Sequence, residues 1–439
     1  MSEAPPAAAP PARRSSLLII FLVVFIDLLG FGIVLPLLPR YADSFHASAP
    51  VLGLLMSSFS AMQFLFAPLW GRVSDRVGRR PILLIGLAGS TFFYSVFGYV
   101  TTLGAEGKLL GLGVIAWLFI ARIGQGMAGA TISTAQAYIA DSTTTQGRGK
   151  GMALIGAAFG LGFTFGPLMA LPFVGEGIEA APSAGPGYLA GGLSFVAFLA
   201  AVFLLPESLP AGGRQVDRHW LDTRSLRLAV RRPLILPVLL TIFLTTFAFA
   251  EFESTLALVT KALNLSDKWN YWVFAYLGFT LMICQGGIVR RLLPRIGEFK
   301  TAISGAILLT IGLICVGGVV LAAASAKADA PGAARNILLA FYGCLPVVVL
   351  GFSFLNPSLQ SMLSLNTPED EQGQVLGLGQ GLSALARIGG PFLGITISPR
   401  GMHWPLFSAA AIMLVGVLFV TRLKSAGAPK SVPAEPVGG

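Results

Sequence analysis

The stretch SLLIIFLVVFIDLLGFGIVLPLLP, residues 16–39, decides the fold class. As a helix rising about 1.5 Å per residue it is about 36 Å long, more than the roughly 30 Å hydrocarbon core of a bilayer. Its one charge, Asp27, lies about 16 Å along that helix and so near the bilayer centre. The run is too long for the apolar core of a secretory signal and lacks a small-residue cleavage site. A twin-arginine export signal, suggested by Arg13 and Arg14, is the weaker alternative, because ten or more further spans follow.

Those runs fill the chain. Of 439 residues 54% are hydrophobic and 11% charged, whereas soluble domains carry about 25% charge. The charges come in bursts between apolar stretches, which excludes an ordinary soluble protein and indicates a polytopic helical membrane protein. Twelve spans are read, at about 16–39, 50–71, 80–101, 110–140, 149–174 and 186–206, then 233–260, 269–289, 300–324, 336–363, 374–396 and 403–422. This divides the chain into a disordered tail (1–15), a six-helix bundle (16–206), a linker (207–232), a second six-helix bundle (233–423) and a second disordered tail (424–439). Cys284, Cys315 and Cys344 all fall within apolar runs, so no disulfide framework is implied.

Of the 30 Lys and Arg, 21 lie at the termini or the loops after spans 2, 4, 6, 8 and 10. Seven fall in the opposite loops: Arg40, Lys108, Lys261, Lys268, Lys327, Arg335 and Arg400. Arg122 and Arg387 lie inside spans. The positive-inside rule then puts both termini in the cytoplasm of a cell (inner) membrane, although one cytoplasmic loop, Glu369-Asp370-Glu371, is acidic. The net charge of +10 thereby reports orientation, and nucleic acid is not an expected partner. The linker interleaves Trp220, Leu221, Leu226 and Leu228 with arginines, the pattern of an amphipathic helix on an anionic leaflet.

The halves repeat weakly. At an offset of 224, Gln136 falls on Gln360, Gly149 on Gly373 and Gly166-Pro167 on Gly390-Pro391; at a slightly different offset Arg76-Val77-Gly78 falls on Arg295-Ile296-Gly297. Duplicated halves around a midplane cavity are the architecture of secondary transporters.

The loop after span 2 reads Gly71-Arg72-Val73-Ser74-Asp75-Arg76-Val77-Gly78-Arg79-Arg80-Pro81. Topology-setting charge explains its arginines but neither Asp75 nor the glycine spacing; Asp75 can pair with an arginine or cap the next helix. The string resembles the signature loop of the major facilitator superfamily. Span 1, with Asp27-Leu28-Leu29-Gly30-Phe31-Gly32, and span 4, with Arg122-Ile123-Gly124-Gln125-Gly126-Met127-Ala128-Gly129-Ala130, look like those of its tetracycline-efflux and related twelve-span drug:proton antiporters. The resemblance covers about residues 16–423. It implies two pseudo-symmetric six-helix bundles in an all-α integral membrane protein. It also makes Gly71, Asp75, Arg76, Gly78, Arg79 and Arg80 a conformational latch, and centres the span 4 motif on Arg122. Span 5, with Gly156, Gly160, Gly162, Gly166 and Pro167, is a helix-packing hinge similar to the family's antiporter motif; glycines four apart allow close approach and proline kinks the helix. It departs from that motif at Ala170-Leu171, where a Gly-Gly pair is usual.

A carboxylate at mid-bilayer is unfavourable by about 3 kcal/mol or more and marks function by default. Asp27, with Arg122, is therefore a candidate proton carrier; the alternative is a static Asp–Arg pair stitching two helices. Span 7 carries Glu251 and Glu253, which project about 200° apart and cannot face a cavity equally. Glu253 resembles an acidic position of this branch. A substrate or proton role is expected of at least one, against a hydrated pore rim. Gln125, Gln136, Asn356, Gln360 and Arg387 are candidate cavity residues, interhelical hydrogen bonding being the competing role for the amides. His46, His219 and His403 all lie outside the spans, and no phosphate-binding or hydrolase motif occurs. No enzyme activity, cofactor or metal is expected. The expected partners are protons, a small-molecule substrate and the bilayer, with the chain a monomer. The expected function is proton-coupled efflux antiport of a small amphipathic compound or drug by alternating access. A proton symporter or facilitator for a metabolite or lipid is the alternative, and a non-transporting receptor or scaffold the alternative of another class.

Overall fold

A computed structural model describes residues 14–143, 145–177, 182–209, 234–325, 332–368 and 372–426. The amphipathic linker, apart from 207–209, the acidic loop at 369–371 and nearly all of both tails lie outside the described residues. The first half comprises α1 (Arg14–Val34), α2 (Leu38–Ser44), α3 (Ala49–Val77), α4 (Arg79–Thr101), α5 (Val114–Gly129), α6 (Ile132–Asp141), α7 (Thr145–Ala170) and α8 (Gly185–Leu204). The second comprises α9 (Ile235–Ala262), α10 (Asp267–Ile283), α11 (Arg290–Ile296), α12 (Glu298–Ser325), α13 (Ala333–Leu365), α14 (Gln372–Ile397) and α15 (Trp404–Ala426). Among the described residues, ten helical stretches are long and apolar enough to cross a membrane. The glycine-rich α7 and α14 pack among them, giving an all-α membrane protein of two six-span bundles.

Proline and glycine explain where the helices depart from the expected spans. Span 1 does not run unbroken to residue 39. Pro36 lacks an N–H and crowds the carbonyl four residues back, so α1 stops at Val34 and the chain turns into α2. Arg40, expected in a loop, therefore sits on a helix and is buried. Span 4 also starts later than expected. Strands β1 (Lys108–Leu109) and β2 (Leu112–Gly113) form a hairpin around Leu110 and Gly111, both at positive φ, and Trp117 Nε1 donates to the Leu109 carbonyl at 2.9 Å. The span then breaks between α5 and α6. Span 8 carries a π-helical segment, Cys284–Val289, between α10 and α11.

The internal repeat survives folding at two glycines. Gly78 (φ 108°) ends α3 and Gly297 (φ 82°) ends α11, each N–H reaching the carbonyl four residues back before the next helix begins. Only glycine adopts that backbone without strain. The step of 219 residues between them is the register of the two halves hereabouts.

The halves meet along α3 against α14, along α7 against α10, and where α2 touches α9. The α3–α14 seam opens along its length. A Cβ on Gly53 would lie 3.1 Å from the Phe392 carbonyl oxygen, and Ser57 Oγ donates to the Ile388 carbonyl at 2.6 Å. Further along, a Cβ on Gly381 would be 3.8 Å from the Phe64 ring. Gly377 and Gly71, nearer the other end, meet no described atom within 4 Å. The bundles are thus closed at the end that holds Arg40 and splay apart toward the end that holds Arg79.

Candidate functional site

Asp27 is half-buried on the inner side of α1, and Ser90 Oγ of α4 donates to its Oδ1 at 3.0 Å. Gly129 brings the end of α5 beside it: a Cβ there would lie 3.5 Å from Asp27 Oδ2 and 3.4 Å from Gln63 Nε2. A small cleft lined by Val23, Leu83, Gly86, Thr131 and Ala135 opens next to the carboxylate.

Arg122 does not pair with Asp27. It is 1% exposed, with its guanidinium 4.5 Å above the centroid of the Phe59 ring, Nη1 donating to Gln125 Oε1 at 3.2 Å and Nε without a partner. The cation–π contact and the amide are what stabilise a buried guanidinium here. Tyr94, 2% exposed, lies within electrostatic range of both Asp27 and Arg122. Its ring edge would be 2.8 Å from a Cβ on Gly30, so the glycine is required for this approach. Gln125 is itself buried at 1% exposure and donates to the Phe93 carbonyl at 3.4 Å, which makes it part of the packing around Arg122.

The two acids of span 7 part company. Glu251 is 0% exposed; Gly394 and Gly390 of α14 pack against its side chain and backbone, and neither carboxylate oxygen has a hydrogen-bond partner. Ser408 of α15 interacts with it without reaching hydrogen-bond geometry. The step of 219 residues carries Gly32 onto Glu251. Gly32 packs on Gly162 and Gly166 of α7 as Glu251 packs on α14, so the second half holds a carboxylic acid where the first holds glycine. Glu251 is therefore not the repeat partner of Asp27, a position that falls on Thr246.

Glu253 is half-buried and interacts electrostatically with Arg387, which is exposed on α14, although the two do not form an ion pair. Gln136 is exposed, and Asn356 and Gln360 are half-buried one turn apart on α13.

In span 5, a Cβ on Gly162 would lie 2.9 Å from Leu28, and one on Gly166 would lie 2.9 Å from the Leu29 carbonyl oxygen and the Gly32 backbone. Across the halves, a Cβ on Gly160 would lie 3.7 Å from Met282. Pro167 lies inside α7, as does Gly156.

At the Arg79 end, Arg79 is 3% exposed and holds Asp75 at 2.6 Å, Asp141 at 3.0 Å and Ser74 Oγ at 2.7 Å. Asp75 thus pairs with an arginine, and α4 is capped by another acid. Glu207, at the end of span 6, accepts from the backbone N–H of Arg79 at 2.9 Å and of Arg80 at 3.1 Å, while Arg80 Nη2 reaches the Val202 carbonyl at 2.6 Å. Arg76 is exposed and Gly71 meets nothing. Glu207 carries no signal that short-range spacing could have picked out, since it lies 128 residues from Arg79.

A family model described as Major Facilitator Superfamily matches residues 20–391. The chain is 26% identical to Multidrug resistance protein 2 of Bacillus subtilis (strain 168), over 90% of its length and 91% of that protein. It is 30% identical to Tetracycline resistance protein, class C, of Escherichia coli, over 89% of its length and 93% of that protein. Among solved structures, a bacterial homologue of the human lysosomal transporter Spinster, in an inward-facing and unoccupied conformation, superposes with a TM-score of 0.71 over 96% of this chain and all of that one, at 12% identity. With a family match that runs through nearly every span and a fold of two six-helix halves, the chain belongs to the major facilitator superfamily of membrane transporters.

Proposed function

We propose that the chain is a proton-coupled efflux antiporter for a small amphipathic compound, working by alternating access. The observation that carries this is the state of its three intramembrane carboxylates: Asp27, Glu251 and Glu253 form no ion pair. A static stitch between helices would join Asp27 to Arg122; instead the acid holds one hydroxyl and the cation sits on an aromatic ring. An acid without a fixed counter-ion changes charge with proton occupancy alone, which is what a carrier requires.

In this scheme Asp27 of the first half and Glu253 of the second face the space between the bundles, with Arg122 and Arg387 tuning them. Gln136, Asn356, Gln360 and Arg387 contribute polar contacts to substrate. Glu251 is sealed in the second bundle and acts as a proton site only when that bundle repacks. Protons load from one side, substrate replaces them from the other, and the two equilibria are linked through shared or neighbouring groups. The efflux direction is supported by the likeness to multidrug and tetracycline resistance proteins. The basic loops assign the Arg79 end and both termini to the cytoplasm, so the splayed end would face inward in a cell (inner) membrane. The latch at 71–81 is a rigid block of the first half that docks and undocks.

The test is Asp27→Asn in proteoliposomes. Substrate movement driven by an imposed pH gradient should fall at least tenfold while gradient-independent exchange persists. Intact gradient-driven transport would remove Asp27 from the scheme. A symporter or facilitator remains the second reading on one observation: Ala170-Leu171 lead into a 3-10 turn (Leu171–Phe173) at the departure from the antiporter motif. The direction of the lumenal pH change during transport separates the two.

A further inference from the structure

Arg40 was expected in a solvent-facing loop, but it is 4% exposed and spans the junction between the halves. From α2 its Nη1 meets Asp267 at the start of α10 at 2.5 Å. Its Nη2 donates to Thr260 Oγ1 at 3.1 Å and to the Leu265 carbonyl at 2.9 Å, and its Nε reaches the Ala257 carbonyl at 3.4 Å. A guanidinium thus closes over the C-terminal end of α9, where unsatisfied carbonyls and the helix dipole favour a cation. Two further bonds run the other way across the junction. Asn270 Nδ2 donates to the Pro36 carbonyl at 2.9 Å, and the Tyr271 hydroxyl to the Ile33 carbonyl at 2.9 Å. Thr260 links the sets by donating to Asn270 Oδ1 at 2.7 Å. Pro36 takes part twice: by ending α1 it frees the carbonyls of Ile33 and of Pro36 itself from helical bonding, and those are the acceptors used.

We infer that this cluster is the lock that holds the Arg40 end shut, and that it must come apart whole each time that end opens. The geometry argues for all-or-none behaviour. Arg40 and Asp267 are both buried, so partial separation would strand a charge out of water, whereas full opening hydrates both. Apart from the Thr260–Asn270 bond, which lies within the second half, each bond joins one half to the other, so none of those is kept when the bundles separate there. The lock stands at the closed end of the seam that widens toward Gly377 and Gly71, and the splayed end has no counterpart on Arg79, Arg80 or Glu207, whose bonds remain inside the first half. The inference rests on alternating access but not on the identity of the coupling ion or of the substrate.

The experiment is a distance measurement between spin labels at Glu106 and Arg400, exposed positions at this end in opposite halves, in the full chain freed of its three cysteines and reconstituted in lipid. Arg40→Gln should shift the distribution to longer distances, with the open population rising at least fivefold. Asp267→Asn, which spares the bonds from Arg40 to the carbonyls, should give a smaller rise. Should Arg40→Gln fail to fold, Arg40→Lys and Tyr271→Phe carry the test, each expected to lengthen the distance modestly. An unchanged distribution in folded Arg40→Gln, or in both milder variants, overturns the lock. Because no substrate or proton gradient is used, that result would leave the efflux reading standing, and loss of gradient-driven transport with the lock intact would not bear on it.

Discussion

Arg79 and Arg40 are both buried arginines that pair with carboxylates near opposite ends of the bundle, yet they belong to different kinds of structure. Arg79 gathers Asp75, Ser74 and Asp141, and its backbone is capped by Glu207; all of these lie in the first half. Arg40 gathers partners from the second half alone. Bonds inside one bundle persist whichever way the bundles lean, so they contribute to stability. Bonds between bundles exist in one state, so they bias an equilibrium between states. Chemically similar clusters therefore predict opposite phenotypes, and substitutions can separate them.

The largest effect falls at Arg79. Arg79→Ala leaves the buried Asp75 without its cation and takes a partner from Asp141, with no domain motion able to bring Asp75 into water. Removing one member of a buried pair is destabilising by roughly 3–5 kcal/mol. Thermal unfolding in detergent should show a large drop in Tm, with the Glu106–Arg400 distance in the surviving folded fraction unchanged. A lengthened distance with unaltered Tm would erase the contrast drawn between the two ends.

Glycine substitutions sharpen the same contrast with apolar chemistry. Gly166→Ala sets a methyl 2.9 Å from the Gly32 backbone inside one bundle, and Gly53→Ala sets one 3.1 Å from the Phe392 carbonyl oxygen across the seam. Overpacking of this kind costs about 1–3 kcal/mol. At Gly166 that energy should appear as lost thermal stability. At Gly53 the bundles can relieve it by parting, so Tm should hold while the open population at the Arg40 end grows. Smaller still is Glu207→Gln, which keeps a neutral acceptor over the α4 N-terminus; the loss expected is about 0.5–1 kcal/mol, read as a Tm shift at constant spin-label distance.

How much of this was legible beforehand follows from the range of the interactions involved. Hydropathy and charge act locally, so the twelve spans, the two halves and the membrane class were visible in the composition and the runs. The 71–81 string was legible in part: the turn at Gly78 and the Asp75–Arg79 pair lie within a few residues, but the chain is helical to Val77 and again from Arg79 where a longer loop is expected. Span 1 was misjudged at its end, since the run stays apolar through residue 39 while Pro36 has already stopped the helix. Arg40, one residue beyond that run, was accordingly counted as a loop charge; its partners lie more than 210 residues away and leave no mark on local sequence. Helical geometry points Glu251 and Glu253 different ways, but which of them is sealed depends on glycines in α14, far away in the sequence. The lack of an Asp27–Arg122 pair likewise depends on Phe59 and Tyr94, both supplied by other helices.

The weakest contrast is electrostatic and lies on the rim of the Arg40 end. Lys268 of the second half donates to the exposed Glu176 of the first, and by hydrogen bonding and charge holds its carboxyl below the ordinary carboxylate range. A depressed carboxyl pKa stabilises the paired state above that range and ceases to do so as pH falls through it. Acidification to below the ordinary carboxylate range should therefore release a small part of the closure at this end, read as a slight lengthening between Glu106 and Arg400. Glu176→Gln should remove that part of the pH dependence and leave the rest. Salt should act in the same direction, because at 1 M the screening length of about 3 Å is shorter than the reach of an exposed pair. Identical pH profiles for Glu176→Gln and the unaltered chain would show that closure depends on the buried cluster around Arg40 without help from its rim.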